Sequence, residues 1–432
     1  MNCRVFKFGG ASVKDAVAVK NVAEIIKRFP KDRLIVVVSA MGKTTNALER
    51  LVKALHQNTN EISSIIEEVR SYHFSIMDNL FEEKNESVYH DIENVFVELS
   101  WAVEAGPSPN YDQDYDQIVS IGEIISTKII AHYLSHIGIR NHWIDARDVI
   151  QTDNTYREGK VDFNDTESKV KTHILNKFSS GNFEPVILPG FIGGTSENYT
   201  TTLGREGSDY TAAIVAYCAG AESVTIWKDV PGVLNADPKW FDNTQKIDEL
   251  TYQDAIELTY YGATIIHPKT IKPLQNKNIP LYVRSFLDPD AAGTVVQESN
   301  KKLSVPSFIF KLNQLLISLQ PKDFSFIAED KLSSIFNCFH QHGVHIHMMQ
   351  LSAINFSVCI DKDDRKTPSL IKDLQKEFKV LYNDSLELCT IRYFDQATIE
   401  RVTKDKEVLV EQRSRYTVQL VMRSNESRKT QD

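Results

Sequence analysis

Residues 4–39 read RVFKFGGASVKDAVAVKNVAEIIKRFPKDRLIVVVS, and the change of period along them decides the fold. Residues 4–8 alternate as a strand does, and residues 13–29 place Val22, Ile25, Ile26 and Phe29 on one helical face. Residues 34–39 then form a second strand, apolar without a break from Leu34 to Val38, as in a parallel sheet covered on both faces. Ser12, with Asp15 three residues on, resembles a capping box at the helix start. Strand, helix and strand in this order predict a βαβ unit and an α/β sandwich.

Outward from there the texture changes twice. Residues 46–104 are charged and helical in period, with Leu51, Leu55, Ile62, Ile65, Ile66 and Val69 as the buried stripe, which predicts a helical hairpin. Residues 106–116 carry two prolines and three aspartates and read as a polar loop, and residues 118–134 resume a helix. The βα alternation returns with a strand at 185–191, a helix at 208–219 stopped by Gly220, and a strand at 223–227. After the polar run 298–302 come short strand-like runs at 307–312, 315–319, 344–349 and 355–360, with helices near 330–342 and 367–378. A shorter set follows: strands at 386–392, 408–411 and 416–422, and a helix near 395–404. Two βαββ-like units predict a duplicated α+β ferredoxin-like module. The expected domains are 1–298 and 303–424, with 425–432 a polar, disordered tail.

The chain has 432 residues, 42% hydrophobic and 25% charged, enough for at least one large core and too apolar for a disordered chain. A formal charge of −9 gives no reason to expect nucleic acid or an anionic membrane as partner. The apolar runs fall far short of the roughly 20 residues of a bilayer span, and the start MNCRVFKFGG lacks the apolar core of a signal peptide, so a cytoplasmic protein is expected. Cys3, Cys218, Cys338, Cys359 and Cys389 are odd in number and widely spaced, which suits reduced packing residues.

Three segments put glycine and polar residues at strand-to-helix turns, where α/β folds hold ligands: 7–12, 189–195 and 200–209. Each suits phosphate, since glycine lets the backbone approach an anion and a helix start adds free N–H groups. Taken singly, each is equally well a tight turn. The P-loop pattern and the HRD and DFG motifs of protein kinases do not occur. Lys7, at the end of the first strand, can neutralise a transferring phosphoryl group, or be a solvated strand-end lysine. Asp209 can orient Lys7 or act through Mg²⁺, or be ordinary negative charge at a helix start.

The motifs KFGGASV (7–13), VSAMGKTTN (38–46), SIGE (120–123), TTLGR with GSD (201–205, 207–209) and WKDVPGV (227–233) occur in the order seen in aspartate kinases, and with Gly262-Ala263 and His267-Pro268 the chain resembles that family over residues 1–300. The region beyond resembles its paired ACT regulatory modules by pattern. The resemblance implies an amino-acid-kinase-like αβα sandwich followed by ACT modules. It implies ATP-dependent phosphorylation of the L-aspartate side-chain carboxylate to 4-phospho-L-aspartate, the first step toward lysine, threonine and methionine. ATP with Mg²⁺ held through its phosphates, L-aspartate, and an amino-acid effector at the ACT region are the implied ligands, and a homodimer the implied assembly. By position, Lys7 and Asp209 are catalytic, and Thr45, Glu123, Arg205 and Ser208 bind aspartate, Glu123 through the ammonium and Arg205 through the α-carboxylate. Lys7, Phe8, Gly9, Gly10, Lys228, Asp229, Leu234, Lys239, Thr264 and Ile265 fall where the family holds the nucleotide. No protein-held metal site is expected.

The chain departs from the family pattern in several places. Glu206 stands where a glycine is usual, Lys228 where threonine is usual, and Thr264 where a lysine precedes the His-Pro pair. These read as a modified nucleotide pocket. The turn QPKDFSF (320–326) lacks the glycine of effector-binding members, and the later segment reads LSAIN (351–355). His340, His342, His345 and His347 cluster behind Cys338, but passage from helix to strand turns them apart and matches no zinc spacing. Two alternatives stand beside the leading expectation: a glutamate-type carboxylate kinase, against which residues 227–232 and the ACT tail argue, and a catalytically weakened, ACT-type amino-acid-binding paralogue.

Overall fold

The computed structural model describes residues 3–81, 86–239, 241, 243–263, 266–300, 305–323 and 325–424. Thr264, Ile265 and the tail 425–432 lie outside the described residues. The chain divides into two compact units, one of Met1–Val233, Lys246–Ile256 and Ile265–Asn300, the other of Leu234–Gln245, Glu257–Thr264 and Lys301–Asp432.

The first unit opens with β1 (Arg4–Phe8), α1 (Ala16–Lys27) and β2 (Leu34–Val38). Asp15 alone caps α1, accepting the Ala18 N–H at 2.8 Å. Ser12 does not take part in that cap: it sits in a 3-10 turn, Gly10–Val13, and its hydroxyl donates to Gly9 O at 2.7 Å. The stretch read as a hairpin is three helices, α2 (Thr44–Gln57), α3 (Ile62–Leu80) and α4 (Glu86–Glu104). Asn58, at φ 50°, ends α2 in the left-handed conformation without any glycine to signal it. The expected loop holds α5 (Tyr111–Val119), capped by Asn110, whose side chain accepts from Asp112 and Gln113 N–H. Then come α6 (Ile121–His136), β3 (His142–Trp143), α7 (Phe163–Lys169), β4 (Val186–Pro189), and the hairpin β5 (Ile192–Gly194) and β6 (Thr200–Thr202). After α8 (Gly207–Ala219) and β7 (Ser223–Lys228) come β8 (Glu249–Thr251), α9 (Tyr252–Tyr261), α10 (Pro268–Asn276), β9 (Leu281–Ser285) and β10 (Thr294–Gln297).

The sheet order is β3-β4-β2-β1-β7-β9-β10-β8, parallel from β3 through β9. All five residues of β2 are buried, so both faces of the sheet are covered; α8 packs across β1, β2 and β7, and α6 across β2, β3 and β4. The chain leaves β1 toward β2 on one side and returns to β7 on the other. That reversal opens a crevice at the carboxyl ends of the central strands, the place where such sheets bind ligands.

The second unit is a six-stranded antiparallel sheet, built from β11 (Ser307–Pro321), α11 (Glu329–Gln341), β12 (Ile346–Leu351), β13 (Phe356–Asp361), α12 (Thr367–Leu374), β14 (Phe378–Arg392), α13 (Gln396–Thr403), β15 (Lys406–Arg413) and β16 (Thr417–Ser424). Its order is β12-β13-β11-β14-β16-β15. The two runs expected at 307–319 are one strand with a register break between Lys311 and Gln314. Asn313 and Ser385, both at φ 55°, mark the break on facing strands. Each half has its own core, one around Ile317, Val358 and Phe339, the other around Cys389, Val418 and Ile399. Two ACT-like modules therefore share their long central strands.

Candidate active site

The crevice at the ends of β1, β2, β4 and β7 is a cavity of about 800 Å³. β1 delivers Lys7 to its floor, and α8 brings Asp209 in its first turn; their Nζ and Oδ1 touch at 2.6 Å, with side chains only 11% and 3% exposed. Lys228, at the end of β7, approaches the other oxygen of Asp209 at 4.0 Å. Two cations thus converge on one buried carboxylate. That arrangement keeps both ammonium groups facing one point of the cavity and supplies positive charge for a polyanion.

Glu123 projects from the first turn of α6 and is 3% exposed. Its Oε1 accepts the Ala40 N–H at 3.3 Å, and its Oε2 is buried with no hydrogen-bond partner among the described residues. Burial pushes its pKa up to about 8, against the lowering pull of the Ala40 bond and of Lys7. Gly122 is what lets α6 come so near: a Cβ there would meet Ala40 Cβ at 3.0 Å and Thr44 Cγ2 at 3.2 Å. On the opposite wall a Cβ at Gly190 would stand 2.6 Å from Ser208 Cβ, so the start of α8 closes on the end of β4 only because residue 190 is glycine. Glu206, ahead of α8, holds φ 53° and ψ 32°, the left-handed region that glycine adopts more readily.

The cavity collects Lys7, Gly10, Thr45, Glu123, Arg205, Ser208, Asp209 and Lys228. Phe8 is buried in the sheet, stacked near Trp227 at 6.0 Å, and Gly9 lies beside Lys7, a Cβ there reaching Nζ at 3.3 Å. Asp229 and Lys239 are exposed and Leu234 half-buried, and none lines the cavity; Leu234 and Lys239 belong to the second unit. Sequence reasoning passed over Tyr115, Tyr156, Arg157 and Phe191, which also line it. Tyr115 and Arg157 stack at 4.3 Å, a pairing between segments too far apart for any spacing rule to reveal. In the second unit the histidines turn to separate partners, His342 to Asp373 and His347 to Asp361, each at 2.8 Å. No group of three or more metal-binding side chains occurs among the described residues, nor does any helix long and apolar enough to cross a membrane.

A parallel sheet whose strand ends gather lysines, an arginine and a dry carboxylate around one cavity suits a small anionic ligand such as a phosphate ester. A sequence profile described as the amino acid kinase family matches residues 2–285. Lysine-sensitive aspartokinase 3 of Escherichia coli (strain K12) is 30% identical over 90% of this chain and 86% of its own length. The chloroplastic bifunctional aspartokinase/homoserine dehydrogenase 2 of Arabidopsis thaliana is also 30% identical, over 87% of this chain; the chain spans 42% of that longer protein. Among solved structures, E. coli aspartokinase III in complex with lysine and aspartate (T-state) superposes with a TM-score of 0.82 at 27% identity, covering 99% of this chain and 97% of that one. The same enzyme with aspartate and ADP (R-state) gives 0.81 at 26% identity, covering 99% and 98%. The chain belongs to the amino acid kinase family, among its aspartokinases.

Proposed function

We propose that the chain transfers the γ-phosphoryl group of Mg-ATP to the side-chain carboxylate of L-aspartate, giving 4-phospho-L-aspartate and ADP. The observation that carries this reading is the pairing, in one cavity, of the buried Lys7–Asp209 couple with the unpartnered Oε2 of Glu123. An amino acid with two carboxylates and one ammonium asks for one fixed anion and fixed cations. Glu123 takes the ammonium, Arg205 the α-carboxylate, and Thr45 and Ser208 supply neutral donors at the same end. The acceptor carboxylate is already ionised at neutral pH, so its oxygen attacks the γ-phosphorus while the bond to the β,γ-bridging oxygen breaks, and no general base is needed. Lys7, held by Asp209 and backed by Lys228, offsets the charge on the phosphoryl oxygens; catalysis is alignment and charge neutralisation.

Within the first unit the nucleotide lies along Lys7, Phe8, Gly9 and Gly10 and reaches toward Lys228 and Asp229. Mg²⁺ comes with the phosphates as part of the co-substrate. E. coli aspartokinase III was solved with lysine and aspartate, and by that likeness this chain takes an amino-acid effector, which we assign to the second unit; a cytoplasmic homodimer is a further part of the proposal. Here the Asp323 carboxylate accepts from Ser325 N–H and Oγ, and Ser352 and Asn355 bond each other.

Hydroxylamine trapping with ATP, Mg²⁺ and either aspartate or glutamate tests the reading: hydroxamate from aspartate alone is expected, and none from either substrate defeats it. Lys7→Ala lowers turnover by about a hundredfold or more while the chain still folds. Undiminished turnover in that variant removes Lys7 from the chemistry.

A further inference from the structure

Three segments distant in sequence meet at one carboxylate that the chemistry above does not use. Asp116, on α5, is 0% exposed. Its Oδ2 accepts the backbone N–H of Arg157 at 2.8 Å and of Thr202 at 2.9 Å, and its Oδ1 accepts the Thr202 hydroxyl at 2.7 Å. Arg157 has φ 65°, a backbone that a residue with a side chain keeps only when its surroundings hold it there. From that backbone its guanidinium lies over the Tyr115 ring at 4.3 Å and reaches Asp112 at 3.3 Å, on the cavity wall. Thr202 ends β6; Leu203 N–H then bonds Phe191 O at 2.8 Å, and Arg205 follows two residues on.

Three donors converging from a turn and a strand end need three acceptor positions on one small group, which an ionised carboxylate has and a hydroxyl lacks. Burial pushes the Asp116 pKa up to about 6 while the same three bonds hold it down. A buried charge is a costly way to join two loops unless their separation matters.

We infer that Asp116 is a positioning residue for the acceptor end of the cavity: it fixes the distance between the Arg157 segment and the Thr202–Arg205 segment, and so where their guanidinium groups stand. The inference rests on the acceptor site proposed above. The nucleotide end, built on β1 and β7, does not depend on this carboxylate, so its loss separates the two substrates.

The test uses the full chain with Asp116→Ala, Asp116→Asn and Thr202→Val. It measures KM for L-aspartate and for ATP, kcat, the thermal midpoint, and hydrogen–deuterium exchange of peptides 154–160 and 200–206. Asp116→Ala is expected to raise KM for aspartate about tenfold or more and to leave KM for ATP within about twofold. Asp116→Asn turns its carbonyl oxygen to the two N–H groups and its amide to the Thr202 hydroxyl, and brings KM for aspartate back to within about threefold. Equal rises in both KM values, an unchanged KM for aspartate, or an Asn variant as impaired as the Ala variant overturns the inference. If Asp116→Ala does not fold, Thr202→Val decides: a rise of about threefold in KM for aspartate alone supports the role, and no rise ends it. If the wild-type chain phosphorylates no acceptor, the reading of the site has failed by itself, and exchange then decides Asp116. Faster exchange at both peptides in the Ala variant but not the Asn variant supports the pin, and equal protection in all three chains overturns it.

Discussion

At pH 7 the Glu123 carboxyl, with a pKa of about 8, holds its proton in the empty cavity. An arriving ammonium favours the carboxylate, so aspartate binding expels that proton, and affinity for aspartate rises with pH from about 6 to 8. Calorimetry in buffers of different ionisation heat reads the proton directly; a binding heat independent of buffer contradicts the assignment. The sign for stability is opposite. The unfolded chain releases this proton near 4.5 and the folded chain near 8, so the native state loses stability as pH rises through that window. Glu123→Gln therefore stabilises the empty protein at pH 7 by on the order of 2 kcal/mol in urea unfolding, a gain absent at pH 4, while raising KM for aspartate. Glu206 carries the second residue-scale prediction. Its Oε2 is buried without a hydrogen-bond partner among the described residues, and its backbone is left-handed. Glu206→Gly relieves both and is expected to lower KM for aspartate with a stability change of less than about 1 kcal/mol; an increase in KM assigns Glu206 a role in binding instead.

Among the elements, α8 is set by a single close approach. Gly190→Ala places a Cβ against Ser208 and forces the start of α8, with Asp209, away from Lys7. Loss of about 1–3 kcal/mol in stability is expected, together with a fall in kcat; normal kcat in this variant means the helix start can shift without consequence. The α3 helix buttresses the other lip. His73 is fully buried, accepts no proton until about pH 4, and stands 3.4 Å from Thr44 Oγ1 at the start of α2. The helical period of residues 46–104 is visible in sequence, but the breaks are not, because Asn58 supplies a left-handed stop that needs no glycine. The aspartates of residues 112–116 look like a loop, whereas behind an Asn110 cap Asp112 and Asp114 suit the positive end of α5. Local composition has two physical outcomes there, and the cap decides between them.

At the scale of the molecule, the second unit leaves β12 as an edge strand with Met349 49% and Leu351 51% exposed. Such an edge offers unpaired backbone and apolar side chains to a second copy, and the proposed homodimer is expected to use it. Leu351→Lys is expected to shift the chain from dimer to monomer in sedimentation velocity; a dimer unaffected by it has its interface elsewhere.

The alternation of period in residues 4–39 and the glycine-bearing turns determined the α/β fold by themselves, because apolar periodicity and backbone freedom are properties of neighbouring residues. Lys7 and Asp209 stand out in glycine-bearing turns for the same reason, whereas Glu123 and Arg205 are singled out only by the resemblance of their motifs to those of aspartate kinases. Tertiary structure alone decided that Tyr115 stacks on Arg157 and that Asp116 joins residues 157 and 202, since burial and hydrogen bonding between remote segments exist only once the sheet has brought them within reach.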